Sequence, residues 1–355
     1  MRVLVGMSGG VDSSVAAALL RDEGHEVVGV TLRLWGGESD TGCCSVSDVD
    51  DARRVAQQLG IDHVVFNFSD DFAEHVVDPY VDAHRVGLTP NPCIECNRHL
   101  KFDRLMDRAD QLGFDAVATG HHARIGRHDD GRPRLERGAD RPKDQSYVLH
   151  MLDEATLDRV LLPVGEFTKD EVRSMAQRLG LRTAAKPDSQ DVCFIPTTEG
   201  RRGFLEDRVS FTPATVVDRD GSALGTVTAV ELVTLGQRRG LGLPGGGPVR
   251  YVVDVERGPH VSTPKVVVGD ADALLTTTER VGQVTWVHGP VVGRVLVQSS
   301  AHGEPVVGDI AVDDEGIVEV TWQLRQSRVA PGQSMVFYDA DDCFVIGGGL
   351  VLPRR

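Results

Sequence analysis

The sequence has few of the features that mark secreted or membrane proteins. Six cysteines among 355 residues are too few for a disulfide scaffold. No apolar run approaches the roughly 20 residues that a membrane span requires. The N-terminal stretch MRVLVGMSGG lacks the long apolar core of a secretory signal. We therefore expect a cytoplasmic chain that does not contact a membrane.

Positively charged residues are outnumbered by negatively charged ones. The chain has 38 Lys and Arg against 53 Asp and Glu, a net charge of −15. Because affinity for nucleic-acid phosphates comes from Lys and Arg, this balance excludes indiscriminate nucleic-acid binding but leaves room for a local basic surface. Arg and Lys concentrate between residues 121 and 143, and they recur at 201–202 and 238–239. Such clusters are usually solvated faces, so they are weak evidence by themselves.

Strands and helices alternate in the first half of the chain. The predicted strands are 2–5, 27–32, 64–68 and 116–119, and the predicted helices are 12–22, 48–59, 70–85 and 100–112. Asp48 is the predicted N-cap of the second helix. This alternation predicts a parallel sheet covered on both faces, with ligands bound where the strands end.

The second half changes to short Val-rich segments separated by glycine and proline. The predicted strands are 214–217, 249–255, 265–268, 281–287, 294–298, 317–322 and 335–338. This pattern predicts one or two small antiparallel β domains that include a barrel. We expect an α/β nucleotide-binding catalytic domain over 1–205, a small central β-rich domain over 206–275 and a C-terminal β-barrel over 276–355.

The most specific local motif is S-G-G-V-D-S, residues 8–13, which directly follows a strand and directly precedes a helix. Backbone N–H groups at such a turn point outward, and the helix dipole favours an anion there. Gly9 and Gly10 let phosphates approach the backbone, and Asp12 could hold the accompanying Mg²⁺. The motif is neither a Walker A loop nor a dinucleotide fingerprint.

The cysteines are informative by position. Cys93 and Cys96 form a C-x-x-C, and Cys193 follows a polar loop. In a reducing compartment this pattern indicates catalysis or metal binding more than structural bridges. Cys96 is predicted at a helix N-terminus, where the dipole favours the thiolate. Cys343 is predicted to be a small buried hydrophobic residue.

The S-G-G-V-D-S motif resembles the PP-loop ATP pyrophosphatase superfamily, whose members cleave ATP between the α and β phosphates and adenylate their substrate. Further segments make the chain similar, from end to end, to the tRNA-specific 2-thiouridylase family. These segments are 89–102, 118–124, 143–149, 186–196, 235–246, 330–333 and 347–349. The resemblance implies ATP- and Mg²⁺-dependent 2-thiolation of the wobble uridine in tRNAs of the Lys, Glu and Gln type. It implies a cysteine desulfurase or a sulfur-relay protein as the donor.

The resemblance also implies roles for individual residues. A persulfide on Cys193 attacks the adenylated uridine, and Cys96 completes the exchange as a Cys96–Cys193 disulfide. The implied nucleotide-binding residues are Gly6, Met7, Ser8, Gly9, Gly10, Val11, Asp12, Ser13, Leu32 and Gly120. The implied tRNA-binding residues are His121, Lys143, Asp144, Gln145 and Gln333, and the central domain is expected to contact tRNA as well.

The sequence departs from the family at two places. Many relatives carry Asp at the position of Cys93, so that acid–base role is not carried over. Cys93, Cys96 and Cys193 could instead hold a 4Fe–4S cluster that carries the sulfur, and this alternative stays open beside the persulfide. Zinc is less favoured, because a second cysteine pair is missing. Gln298 and Ser299 replace an Arg-Tyr pair that contacts tRNA in relatives.

Two other functions compete with thiolation. One is a different PP-loop tRNA-modifying enzyme or amidating synthetase, and the other is a nucleotide-binding regulator without chemistry. The two-cysteine spacing and the β-rich C-terminal half disfavour the first, and the intact S-G-G-V-D-S motif together with both cysteines disfavours the second. The adjacent Cys43 and Cys44 are assigned no role. His121 and His122 are expected to face nucleotide and tRNA instead of a metal.

Overall fold

The computed structural model describes residues 1–34, 46–188, 192–195, 199–245, 247–258, 261 and 263–354. Cys43 and Cys44 lie outside this part of the chain. Within it, none of the helices combines the length and the apolar character that crossing a membrane demands.

The N-terminal part is built on a parallel sheet. Its strands and an adjoining hairpin are β1 (Arg2–Gly6), β2 (Glu26–Arg33), β3 (Asp62–Asn67), β4 (Ala116–Ala118), β5 (Ala123–Arg127), β6 (Pro133–Arg137) and β7 (Val160–Leu161). The sheet has the order β3-β2-β1-β4-β7, and every neighbouring pair in it is parallel. The strand order reverses between β1 and β4, and a crevice forms at that point outside the carboxyl ends of the strands.

Helices cover both faces of this sheet. They are α1 (Val11–Asp22), α2 (Val46–Leu59), α3 (Ser69–Phe72), α4 (Asp78–Val86), α5 (Pro92–Glu95), α6 (Leu105–Leu112), α7 (Glu154–Leu157), α8 (Lys169–Arg178) and α9 (Gly200–Glu206). Two π-helical segments, Ala73–Val77 and Cys96–Arg104, join α3 to α4 and α5 to α6. On one face, Val15 and Ala16 of α1 and Val172 and Ala176 of α8 pack with the sheet in one fully buried cluster.

Two predicted helix boundaries are wrong. The fourth helix was expected to begin at Leu100, but helical structure begins at Pro92, because Asn91 accepts a hydrogen bond from the Cys93 N–H at 3.1 Å and proline suits the first turn. Cys96 therefore lies one turn inside the helix. Asp48 is not an N-cap, because α2 already begins at Val46.

The hairpin of β5 and β6 was missed, although its alternating side chains flank an Asp-Gly turn signal at residues 130–131. It lies within the basic run between residues 121 and 143. Every Arg and Lys of this run forms a salt bridge with a carboxylate of the chain: Arg124, Arg127, Arg132, Arg134, Arg137, Arg141 and Lys143. The run is therefore largely neutralised within the protein.

The second half consists of an open sheet and a barrel. The central strands are β8 (Ala214–Asp218), β9 (Ala223–Val227), β10 (Tyr251–Glu256) and β11 (Lys265–Gly269), in the order β10-β11-β8-β9. The pair β8–β11 is parallel, which corrects the purely antiparallel expectation; the chain passes through β9 and β10 before it returns beside β8 in the same direction.

The C-terminal strands form a closed antiparallel barrel in the order β12-β15-β14-β13-β16-β17. They are β12 (Leu275–Trp286), β13 (Gly293–Gln298), β14 (Val306–Val312), β15 (Val318–Ser327), β16 (Ser334–Tyr338) and β17 (Val345–Val351). The predicted fold class, an α/β domain followed by a β-rich part and a barrel, is confirmed.

The barrel packs directly on the N-terminal part. Val336 and Tyr338 of β16 share a buried cluster with Tyr147 and Leu149. The buried guanidinium of Arg137 joins the two parts: it binds Asp144 at 2.9 Å, Gln298 at 2.7 Å and Asp342 at 2.5 Å, and it lies over the Tyr338 ring.

Candidate active site

The carboxyl edge of the sheet, where the strand order reverses, opens into a cavity of about 540 Å³. Nine of the ten predicted nucleotide-binding residues line it: Gly6, Met7, Ser8, Gly10, Val11, Asp12, Ser13, Leu32 and Gly120. The tenth, Gly9, lies behind this surface. A cavity of this size suits a small-molecule ligand, and its position is the one that the topology predicts.

The phosphate loop is held in shape from behind. Gly9 has a φ of +71°, and a Cβ there would lie 2.4 Å from the Asp48 carbonyl oxygen. The Ser8 N–H donates to Ser13 Oγ at 3.2 Å, and Ser14 Oγ donates to the Gly10 carbonyl at 2.7 Å. These contacts fix the start of α1 so that its first N–H groups face the cavity.

Gly120 forms the opposite wall of the loop. A Cβ on Gly120 would lie 2.5 Å from the Ser13 backbone nitrogen and 2.7 Å from the Asp12 carbonyl carbon. Backbone from the end of β4 therefore packs directly on the first turn of α1, an approach that only glycine permits. The two walls of the crevice are joined at this point.

A chain of ion pairs runs along the phosphate side of the cavity. Lys169 Nζ lies 2.7 Å from both carboxylate oxygens of Asp12 and 2.9 Å from Asp188. His122 Nε2 lies 3.1 Å from Asp12. Burial alone would raise the pKa of Asp12, but hydrogen bonds from His122 and Lys169 lower it. Asp12 is thus a carboxylate at the mouth of the phosphate loop.

Lys186 supports the loop from its other side. Its ammonium donates to the Gly9 carbonyl at 2.9 Å, to Asp48 at 2.6 Å and to Asp51 at 2.9 Å. Burial would lower the pKa of Lys186, but its bonds to the two carboxylates raise it. Lys186 therefore ties the phosphate loop to α2.

The three cysteines of interest line the same cavity. Cys96 is buried, Cys193 is half-buried and Cys93 is exposed. Cys96 belongs to the apolar cluster on one face of the sheet, and Cys193 packs against that cluster beside Phe194. The proposed sulfur-bearing residues thus share one site with the phosphate loop.

In this structure the three cysteines are not gathered as ligands of one metal centre. Across the described residues, which include Cys93, Cys96 and Cys193, no three Cys, His, Asp or Glu side chains are grouped so that they could hold a metal ion. A three-cysteine ligand set for a 4Fe–4S cluster requires such convergence. The arrangement therefore does not fit the cluster.

Four of the five predicted tRNA-binding residues also line the cavity: His121, Lys143, Asp144 and Gln145. His121 is buried, its Nδ1 lies 2.7 Å from Thr119 Oγ1, and burial lowers its pKa well below the usual value. Gln145 Oε1 accepts a hydrogen bond from the His122 N–H at 2.8 Å.

Two of these five have clear structural roles. The Asp144 carboxylate accepts hydrogen bonds from Arg137, the Gly138 N–H and Ser146. Gln333 lies outside the cavity lining, on the loop before β16, and its amide donates to the Thr89 carbonyl. Since Thr89 precedes α5, Gln333 connects the barrel to the segment that leads to Cys93.

Comparison with known proteins decides the family. A model described as the tRNA methyl transferase HUP domain matches residues 1–197, the PRC-barrel domain of the same group matches 202–270 and an aminomethyltransferase β-barrel domain matches 277–351. The chain is 45% identical to the tRNA-specific 2-thiouridylase MnmA of Chloroflexus aurantiacus, over 98% of each chain. It is 42% identical to the enzyme of the same name from Herpetosiphon aurantiacus, over 100% of this chain and 99% of that one. The chain belongs to the tRNA-specific 2-thiouridylase family. The resemblance in the sequence and the expectation of an enzyme of this class are confirmed at that level.

Sequence reasoning about this 2-thiouridylase family member missed several residues of the cavity wall, among them the charged residues Lys169, Lys186 and Asp188. Lys169 had a usable signal. It is the first residue of α8, and Thr168 and Glu171 form a complete capping box whose T-x-x-E pattern is visible in the sequence. The ion pair of Lys186 with Asp48 joins residues 138 positions apart. Those of Asp188 with Arg173, Lys169 and Lys143 span 15 to 45 positions, so no local pattern indicates them either.

Two further expectations are resolved. Cys343 is exposed, not buried, because it lies in the turn between β16 and β17, where Asp339 accepts a hydrogen bond from its N–H. Gln298 is 3% exposed. Its side chain binds Arg137 and the Ser300 carbonyl, so it supports the domain contact.

Proposed function

We propose that this chain is an ATP-dependent tRNA-uridine 2-sulfurtransferase that thiolates the wobble uridine. The observation that carries the proposal is that the phosphate loop, Cys96 and Cys193 line one cavity. A nucleotide-binding regulator has no use for two cysteines beside its phosphates. Another PP-loop synthetase is disfavoured by the 42–45% identity to 2-thiouridylases over nearly the whole chain.

The N-terminal sheet supplies the activation step. The N–H groups at the start of α1 would bind the ATP phosphates. Gly120 and Leu32 also line the cavity, and we assign them to the nucleotide. Asp12 offers the carboxylate oxygens that Mg²⁺ prefers, and the bound ion would offset phosphate charge. Uridine O2 attacks the α-phosphorus, pyrophosphate departs with the electron pair of the broken bond, and the carbonyl oxygen of the base becomes a good leaving group.

The cysteines supply the sulfur step. A desulfurase or a relay protein leaves a persulfide on Cys193. The terminal sulfur attacks uridine C2, and AMP departs with the former O2. Cys96 thiolate then attacks Cys193 Sγ, the S–S bond breaks with its electron pair on the new thiocarbonyl sulfur, and a Cys96–Cys193 disulfide forms. An external thiol returns both cysteines to the reduced state. No step passes through a metal cluster.

Substrate tRNA would reach the cavity with its target base unstacked. The contacts we propose are His121, Lys143 and Gln145 at the cavity and Gln333 on the barrel loop, while Asp144 holds their loop in place. The arginines of residues 124–141 are paired with carboxylates, so anticodon stem-loops of the Lys, Glu and Gln type would be selected by shape and by the flipped base. We also propose that the chain is divided into three domains, over residues 1–205, 206–275 and 276–355.

The proposal is tested by supplying ATP, Mg²⁺, cysteine, a cysteine desulfurase and unmodified tRNA, then searching digested tRNA for 2-thiouridine by mass spectrometry. Cys96→Ala and Cys193→Ala should each abolish product, while Cys343→Ala, an exposed cysteine outside the cavity, should retain it. Cys93→Ala separates the two sulfur chemistries, because a persulfide pair tolerates it and a three-cysteine cluster does not. Thiolation that survives Cys193→Ala would refute the proposed sulfur carrier.

A further inference from the structure

Lys169 occupies an unusual place for a lysine. Its side chain is 10% exposed, yet it lines the cavity and does not lie in the apolar core. Burial of an ammonium group is costly unless it is fully paired, and the three N–H bonds of Lys169 are used on Asp12 and Asp188. Both partners also line the cavity, so the paired charges of Lys169, Asp12 and Asp188 all lie at the site.

The backbone of Lys169 is fixed on both sides. Thr168 and Glu171 exchange the hydrogen bonds of a capping box, and Asp140 accepts a hydrogen bond from the Lys169 N–H at 2.8 Å. Three residues further along, α8 packs on α1 through Val172. The backbone of Lys169 is therefore fixed beside the start of α1, where the phosphate loop ends, and its side chain reaches the loop from there.

We propose that Lys169 binds the β- and γ-phosphates of ATP and stays with the pyrophosphate as it leaves. The inference rests on the proposed function and adds a residue to its activation step. When uridine O2 bonds to the α-phosphorus, the electron pair of the broken bond goes to the pyrophosphate oxygen. A fixed ammonium beside that oxygen stabilises the charge as it develops.

The partners of Lys169 make this exchange possible. Asp188 is also bound by Lys143 at 3.1 Å and by Arg173 at 2.6 Å, and Asp12 also contacts His122. When the ammonium turns to phosphate, neither carboxylate is left without a partner. Lys186 is not proposed to bind phosphate, because its ammonium donates to the Gly9 carbonyl and so holds the phosphate loop in its conformation.

The alternative is that Lys169 is only a structural counter-ion for two carboxylates. Arg173 provides the matched control, because it binds the same Asp188 oxygen and does not line the cavity. Binding of ATP with Mg²⁺, of inorganic pyrophosphate with Mg²⁺ and of AMP would be measured by calorimetry for the wild type, Lys169→Gln and Arg173→Gln. AMP lacks the two phosphates that Lys169 is proposed to bind.

Lys169→Gln should weaken pyrophosphate and ATP binding by about tenfold or more, the loss expected for a charge-assisted hydrogen bond, and change AMP binding by less than about twofold. Arg173→Gln should bind all three ligands within about twofold of the wild type. Unchanged pyrophosphate affinity in Lys169→Gln, or an equal loss for AMP, would overturn the inference. If Lys169→Gln does not fold, Lys169→Arg serves in its place: it should change the ratio of ATP to AMP affinity, and an unchanged ratio would overturn the inference.

Failure of the proposed function gives a different result. A wild-type protein that binds neither ATP nor pyrophosphate would refute nucleotide use altogether, and the role of Lys169 with it. A wild type that binds both, beside a Lys169→Gln variant that binds both equally well, would refute the role of Lys169 alone.

Discussion

Replacement of Gly120 by alanine should damage the site through a single methyl group. The new Cβ would lie 2.5 Å from the Ser13 nitrogen, whereas ordinary contacts begin near 3.4 Å, so the walls must separate by about 0.9 Å. The atoms that must move are backbone on both sides, and neither can rotate away. We expect a loss of about 1–3 kcal/mol in the free energy of unfolding, the usual cost of overpacking.

Gly120→Ala should impair the rate of pyrophosphate release more severely than it impairs the stability of the fold. Displacement of the phosphate loop by nearly 1 Å relative to the opposite wall should slow tRNA-dependent pyrophosphate release by about a hundredfold. Gly6→Ala is the control for stability, because its Cβ would meet its neighbours at 3.7–3.9 Å and should leave the free energy of unfolding within about 0.5 kcal/mol. Chemical denaturation and a pyrophosphate-release assay measure the two effects. A Gly120→Ala protein with wild-type stability and turnover would refute the packing described at this contact.

Three other outcomes are expected. Arg137→Leu should destabilise the fold by about 3–5 kcal/mol in denaturant titration, because it leaves Asp144 and Asp342 without their buried cation. As a control, Arg132→Ala removes an exposed ion pair and should cost less than about 1 kcal/mol. Equal losses in the two variants would contradict the role of Arg137. Burial lowers the pKa of His84 to about 4. As the pH falls from about 6.5 towards 4, the imidazole is therefore protonated in the unfolded chain before it is protonated in the folded one. This difference lowers the free energy of unfolding by about 1.4 kcal/mol per pH unit. His84→Gln should remove this contribution and so reduce the slope in denaturation measured across this range, to which buried His150 also contributes; an unchanged slope would contradict the assignment. Gln333→Ala should loosen the segment at Thr89, seen as faster amide exchange around residues 88–96, and unaltered exchange would show that the barrel does not restrain it.

Much of the fold could be predicted from local patterns in the sequence. The apolar strand before S-G-G-V-D-S, the helix after it and the alternation that follows predicted the parallel sheet, because each depends on residues close in the chain. The barrel was predicted only as a class. Its strand order depends on pairings such as β12 with β17, which bring together residues about 70 positions apart.

The candidate site divides in the same way. The phosphate loop is one continuous motif, and family resemblance supplied the cysteines and the tRNA-binding set. The ion pairs around the phosphate loop could not be predicted from neighbouring residues in the sequence. Asp12 contacts Lys169, and Lys186 contacts Asp48, only after the sheet, α2 and α8 have packed together. The role of the basic run between residues 121 and 143 could not be predicted for the same reason, since its carboxylate partners include Asp158, Glu166, Asp188 and Asp342.

The central claim is that one sulfur atom passes from Cys193 to the base while Cys96 closes the disulfide. The most direct test loads the protein with an isotopically labelled persulfide, removes the donor, and adds ATP, Mg²⁺ and unmodified tRNA for a single turnover. The account predicts labelled 2-thiouridine and an equal amount of Cys96–Cys193 disulfide, both observed by mass spectrometry. Unlabelled product, or labelled product without that disulfide, would contradict it.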